Sequence, residues 1–220
     1  MRPRKQAGRG PLIFFLCMLI AVSCSSLLHL NLVYRLPSGE KSVFHGKKIF
    51  LSFLDKRQER EVIGPGVRQV FRDVSGNFSL SLMRGDKEET YLGVYELPEL
   101  FLEVFGRRLR NEGLSVVERS EDADVELRIV LTRFRIDLVN RKWKMILSYE
   151  GVLLREGNVL SRQRITTNGE RVKLMGQRQA DRLAGDILTD AVNQFDIQGL
   201  LGNPERSAPR SVGPQWRVKG

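Results

Sequence analysis

Cysteine and histidine are scarce in this chain: among its 220 residues only Cys17, Cys24, His29 and His45 occur, and nothing beyond residue 45 is either type. That absence excludes a zinc site, which needs several Cys or His ligands at defined spacing, from the bulk of the sequence. It equally excludes a Ser-His-Asp or Cys-His arrangement there. No Walker loop, dinucleotide fingerprint or kinase set occurs. Aromatic residues are only 8% and do not interleave with the cations, so no stacking platform for nucleic acid is marked. No cofactor is expected.

What is present begins at the amino terminus. Arg2, Arg4, Lys5 and Arg9 form a positive head, and Leu12 to Val22 is an unbroken apolar run. This is the layout of an export signal, whose apolar core spans roughly 7 to 15 residues. The run ends in Leu19-Ile20-Ala21-Val22-Ser23-Cys24-Ser25, which resembles a bacterial lipobox with lipid carried on the Cys24 sulfur. Cys17 lies inside the part a peptidase would discard, so the mature chain keeps one cysteine and no internal disulfide is possible. Acylation is the simplest use of a single exported thiol. The lipobox departs from the strong form in having Ala21 where Leu is usual. Ala21-Val22-Ser23 also satisfies ordinary signal peptidase, and a third reading is an uncleaved anchor extended by Leu27, Leu28, Leu30, Leu32 and Val33, because about 20 apolar residues span a bilayer. Ser25 rather than Asp after Cys24 resembles outer-membrane lipoproteins of well-studied Gram-negative bacteria.

Loss of residues 1–23 removes four cations and no acids, so the formal charge falls from +10 to +6. Residues 24–46, with Pro37, Ser38, Gly39 and Gly46, read as a lipid-anchored tether. Residues 47–202 have the length of one domain, and 203–220, with Pro204, Pro209, Pro214 and four cations, as a disordered basic tail.

Within that domain, Lys48 to Leu54 reads as a buried strand, and Val67 to Val74 with Phe78 to Met83 as a hairpin around Ser75-Gly76-Asn77. Leu97, Phe101, Val104, Phe105 and Leu109 stand at helical spacing behind Pro98, ending at Gly113. Leu114 to Glu118 then reads as a strand parallel to the first. Val125, Leu127, Ile129 and Leu131 alternate, then Phe134, Ile136 and Leu138 continue one residue out of phase, which predicts a bulge near Thr132-Arg133. Turns at Asn140-Arg141 and Glu156-Gly157-Asn158 complete an antiparallel meander. Gln177 to Asp196 is amphipathic, with Ala180, Leu183, Ala184, Ile187, Leu188, Ala191, Val192 and Phe195 on one face. The expected class is α+β: a mostly antiparallel sheet with two amphipathic helices packed on one face.

Glu121, Asp122 and Asp124 read as a solvated turn, and Asp55 with Arg57 as a structural ion pair. The one surface of interest is basic: Arg128, Arg133, Arg135, Lys142, Lys144, Arg162 and Arg164 fall opposite the apolar rows. Like charges facing each other destabilise a sheet, so such a cluster needs an anionic partner or interleaved acids, of which Glu126, Asp137 and Glu150 are candidates.

The order Phe53-Leu54-Asp55-x-Arg57, Ile63-Gly64, Asn111-Glu112-Gly113-Leu114, Ala123-Asp124-Val125-x-Leu127, Trp143 and Leu200-Leu201, behind a lipobox, resembles the YajG-type envelope lipoproteins from about Lys47 to Leu201. More distantly the layout is similar to auxiliary lipoproteins of lipid-transport ABC systems and to lipopolysaccharide-assembly lipoproteins. The resemblance implies a periplasm-facing domain tied to a membrane, with no activity, cofactor or catalytic residue to carry over. The expected function is therefore a non-enzymatic lipoprotein, anchored through Cys24 in the outer membrane and facing the periplasm, that binds or positions an envelope protein partner or anionic lipid, and not nucleic acid. The alternatives are a signal-anchored protein of the same fold and a carboxylate-dependent cell-wall or glycan hydrolase, which needs two acids facing a cleft.

Overall fold

The computed structural model describes residues 28–38, 44, 46–71, 74–85, 89–174 and 176–202. The expected lipidation site at Cys24, the expected 1–23 signal and the expected 203–220 tail lie outside the described residues. The fold is α+β, built on two sheets. One holds β1 (Leu28–Leu36), β3 (Val74–Arg84) and β4 (Thr90–Tyr95) in the order β1-β3-β4; the other holds β5 (Ser115–Val117), β2 (Lys48–Asp55), β6 (Val125–Val139), β7 (Lys142–Arg155) and β8 (Asn158–Val172) in the order β5-β2-β6-β7-β8. The single sheet expected from the sequence is thus divided in two. Strand β2 runs parallel to both β5 and β6, and the meander β6-β7-β8 is antiparallel.

Several local expectations hold in detail. The phase slip in β6 is a register shift between Leu131 and Arg133, where the Thr132 hydroxyl donates to the Ser148 carbonyl at 3.0 Å. The two hairpin turns place Asn140, Arg141 and Glu156 at positive φ, with Gly157 beside the last. Left-handed backbone at the central positions matches the right-handed twist of the strands that a two-residue loop connects.

Helices α1 (Pro65–Val70), α2 (Leu97–Asn111), α3 (Arg178–Asn193) and α4 (Ile197–Gly202) complete the element order. One continuous core joins both sheets and the two long helices. At its centre the α2 rings Phe101 and Phe105 meet Phe53 of β2, Phe134 of β6 and Tyr149 of β7 at centroid separations of 5.3 to 6.4 Å. Phe78 of β3 meets Phe134 edge-on at 5.4 Å, so the two sheets touch directly. Each such aromatic contributes large apolar burial, and tilted or edge-on pairs add about 0.5 to 1.5 kcal/mol beyond area alone.

Two expectations are corrected. Residues 28–36 of the 24–46 tether form strand β1, because Leu30, Leu32, Tyr34 and Leu36 alternate inward and are all buried. Val67 to Val74 is not the first arm of a hairpin: Pro65 starts helix α1, Val74 belongs to β3, and β3 forms its hairpin with β4 while pairing parallel to β1 on its other side.

Strand β1 has one free edge, and α3 closes it with side chains. Gln177 Nε2 donates to the His29 carbonyl, Asn31 N–H donates to Asp181 Oδ1, Arg35 N–H donates to Thr189 Oγ1, that hydroxyl donates to the Val33 carbonyl, and Asn193 Nδ2 donates to the Arg35 carbonyl, all at 2.9 to 3.3 Å. The helix residues recur every four positions. Four helical residues rise about 6 Å and two strand residues about 6.6 Å, so the ladders stay in step. At the middle rung, 185, the helix carries glycine; a Cβ there would stand 3.0 Å from the Val33 nitrogen.

Candidate functional site

The seven sequence-derived cations all lie on the outward face of the β6-β7-β8 meander, in two separated groups. In register, Arg128, Val152 and Arg162 share one row and Val130, Glu150 and Arg164 the next. Arg133 stands opposite Ser148, Arg135 opposite Ile146, Lys144 between Asp137 and Glu170, and Lys142 between Val139 and Val172. Acids interleave as the cross-strand repulsion argument requires. Arg128 binds Glu126 at 2.9 Å, Lys142 binds Glu170 at 2.7 Å, and Arg135 reaches Glu59 and Asp137. The hydrogen bond from Lys142 holds the Glu170 carboxyl below its ordinary pKa. Val130 and Val152, which stand in those two rows, form a small second apolar cluster with Leu154. Three of the seven cations, Arg128, Arg135 and Lys142, are thus ion-paired among the described residues.

A concave site lies where β8 meets α3. This groove of about 1060 Å³ is lined by Lys144, Ile146, Asn168, Arg171, Asp186 and Asp190 among others. Asp186 sits on the outer ridge of α3 and binds Arg35 of β1 at 2.7 Å and Arg171 of β8, so one carboxylate ties both sheets to the helix. Asp190, one turn on, has no ion pair among the described residues. Burial raises its carboxyl above the usual range, with the Asp186 charge second.

A smaller cavity of about 360 Å³ lies at the far ends of β1, α2 and α3, lined by Pro37, Ser38, Arg108, Glu112, Asn193 and Gln194 among others. Arg108 and Glu112 pair one helical turn apart, each with little of its side chain exposed. Beside them the Tyr34 hydroxyl donates to Asn193 Oδ1 at 3.0 Å, and burial drives its pKa upward. Arg108 Nε is buried without a hydrogen-bond partner among the described residues. A buried guanidinium N–H and a polar rim make this cavity suited to an acceptor group of a ligand or partner segment.

Sequence reasoning missed both concave sites. Tyr34 and Arg35 fall within the expected tether, and Asp186 and Asp190 on the polar side of the expected amphipathic helix. Asp55 and Arg57 form the expected ion pair, with both carboxylate oxygens engaged at 2.9 and 3.0 Å. Asp124 accepts from the Lys48 N–H at 2.8 Å and Asp122 pairs with Arg119, which accounts for those acids structurally. Among the described residues no group of three or more Cys, His, Asp or Glu is placed to hold a metal, and no helix is long and apolar enough to cross a membrane.

No family model matches the chain, and no curated protein does. Among solved structures it is similar to a Xanthomonas campestris protein of family DUF330, at 12% identity and a TM-score of 0.47, covering 74% of this chain and 90% of that one. It is also similar to the lipoprotein GNA1162 from Neisseria meningitidis, at 12% identity and a TM-score of 0.37, covering 67% of this chain and 96% of that one.

Proposed function

We propose that this chain is an envelope lipoprotein of the YajG-like kind: exported, acylated on Cys24, held on the periplasmic side of a membrane, and occupied there in binding or positioning an envelope partner rather than in catalysis. The observation that carries this reading is the position of Cys24. It closes an export signal, and the first core strand begins four residues later at Leu28. At full extension those four steps reach about 14 Å. The lipid and the folded core are thus joined almost directly, and several acyl chains on one sulfur give an attachment that does not reverse, at about 0.8 kcal/mol per buried methylene. The outer membrane is the assigned location, and an accessory role in envelope maintenance or lipid transport is the assigned task.

The partner face belongs at the other end of β1, at the cavity lined by Ser38, Arg108, Glu112 and Asn193. Mass spectrometry of the mature amino terminus tests the first part: an acylated cysteine is expected, and an intact Met1 or an unmodified thiol sinks it. Crosslinking from a photoreactive residue at Ser38, in whole cells, tests the second. One dominant protein adduct is expected; none, together with unaltered envelope permeability on deletion, removes the partner.

The carboxylate hydrolase draws on one observation, the raised Asp190 carboxyl beside Asp186. Glycoside hydrolysis needs its two carboxyls on opposite sides of the scissile bond. These two stand on one helix ridge, and Asp186 is neutralised by two arginines. Asp190→Asn is accordingly expected to leave the envelope phenotype unchanged.

A further inference from the structure

The end of the molecule at which β1 begins carries a surface that the partner-binding reading does not use. Gln177 ties the start of α3 to His29 of β1, and Lys173, four residues earlier, donates its N–H to the Arg141 carbonyl at 2.8 Å. The β6-β7 hairpin, the end of β8 and the start of α3 are thereby gathered at one pole. Phe71, after α1, joins them by stacking on Trp143 at 5.9 Å, with Lys173 Nζ over its ring at 5.3 Å.

Four large apolar side chains are exposed at this pole: Val70, Val139, Val172 and Leu174, the last at 71%, the most exposed large hydrophobic among the described residues. The charges around them are cationic. Among the described residues the acids nearest in sequence are engaged elsewhere: Asp137 with Arg135, Glu170 with Lys142, and Asp181 as acceptor of the Asn31 N–H. Arg141, Lys173 and Arg178 make no ion pair among the described residues. Protruding aliphatic side chains ringed by unpaired cations suit the interface of an anionic bilayer, where tips enter the headgroup boundary and each nearby cation adds about 1 kcal/mol.

We infer that this pole, with Leu174 and Val172 at its tip and Arg141, Lys173 and Arg178 around it, lies flat on the anionic phospholipid surface to which Cys24 attaches the chain. The inference rests on the lipoprotein reading, because only three residues separate Cys24 from Leu28, and that length holds this pole, and no other, against the membrane. The lipid-facing pole then fixes orientation. β8 runs from Asn158 to Val172, and Val159 lies thirteen residues from Val172 along it, about 40 Å away at strand rise. The Arg108 cavity, at the far end of β1, is held out from the bilayer.

The test uses the full-length chain reconstituted into vesicles of phosphatidylethanolamine and phosphatidylglycerol. Leu174→Cys and, as control, Val159→Cys are labelled with a polarity-sensitive fluorophore, with the unsubstituted protein labelled in parallel. At position 174 a blue-shifted emission quenched by lipid-borne nitroxide is expected, and at 159 an aqueous emission. Arg141→Glu with Lys173→Glu, or vesicles of phosphatidylcholine alone, are expected to lower the docked-to-free ratio about fivefold for each cation lost. Aqueous emission at 174 in protein that stays with the vesicles overturns the inference and leaves the anchor standing, as does docking indifferent to charge reversal. If the unsubstituted protein takes label on Cys24 and washes off, the lipoprotein reading itself fails and the inference falls with it.

Discussion

Two aspartates with opposite environments set the behaviour of the fold toward acid. Arg57 donates through Nε and Nη2 to both oxygens of Asp55 and holds its carboxyl below the ordinary range. A depressed folded pKa contributes stability above the unfolded value, and that contribution is lost as pH falls through it. Asp55→Asn is expected to lower the urea midpoint at pH 7, with the deficit closing below about pH 4. Asp181 is the reverse case, since burial raises its carboxyl although it accepts from the Asn31 N–H. The ionised form is disfavoured in the fold, so its stabilising share exists below the unfolded pKa and vanishes as pH rises. Asp181→Asn keeps the acceptor oxygen without the charge; it is expected to unfold at or above the wild-type urea midpoint at pH 7 and to lose that advantage in acid. Gly66 shows what residue identity cannot disclose. A Cβ there would stand 2.0 Å from the Leu138 carbonyl oxygen, so Gly66→Ala is expected to cost about 3 kcal/mol in a chemical-denaturation series. The sequence marks Gly64-Pro65-Gly66 as a break, but which backbone passes over it is decided 72 residues later.

At the scale of elements, the meander was legible because each of its devices is local. The phase slip at 132, the two turns and the alternation all act within a few residues. The α3 edge seal was not, because Gln177, Asp181, Thr189 and Asn193 are polar and read as a face turned to water. Only a strand running alongside gives their four-residue period its meaning. Thr189→Val keeps the shape of the side chain and removes both hydrogen bonds. Amide exchange at Arg35 is expected to accelerate by one to two orders of magnitude, with about 1 to 3 kcal/mol lost overall for the buried groups left unpaired. An unchanged Arg35 amide would mean that water replaces the hydroxyl without cost. Tyr149 performs a related task at the end of the same helix, where its hydroxyl donates to the Ala191 carbonyl at 2.9 Å, one of the terminal carbonyls a helix leaves unsatisfied.

For the whole molecule, the start of the folded domain was the feature least readable from composition. Leu30, Leu32, Tyr34 and Leu36 carry a clear period of two, yet they follow an apolar leader whose greasiness hides the alternation. The candidate cations were readable as residues on one sheet face. Their pairing with Glu59 and Glu170 was not, since those acids come from distant segments. Removing β1 takes four buried side chains out of the common core and strips β3 of its parallel neighbour. A chain beginning at Lys47 is therefore expected to show no cooperative thermal transition and to aggregate, whereas one beginning at Ser25 melts in a single step. Equal melting of the two would demote β1 to a surface appendage.

The seal on β1 also governs when the protein can finish folding. Its hydrogen-bonding partners on α3 lie 148 to 158 residues downstream, so the strand synthesised first is among the last to be satisfied. Contacts of such long sequence separation form slowly. During that interval the edge of β1 stands uncovered. Completion of this fold thus waits on its last long helix, and the first strand is sealed only once α3 is in place.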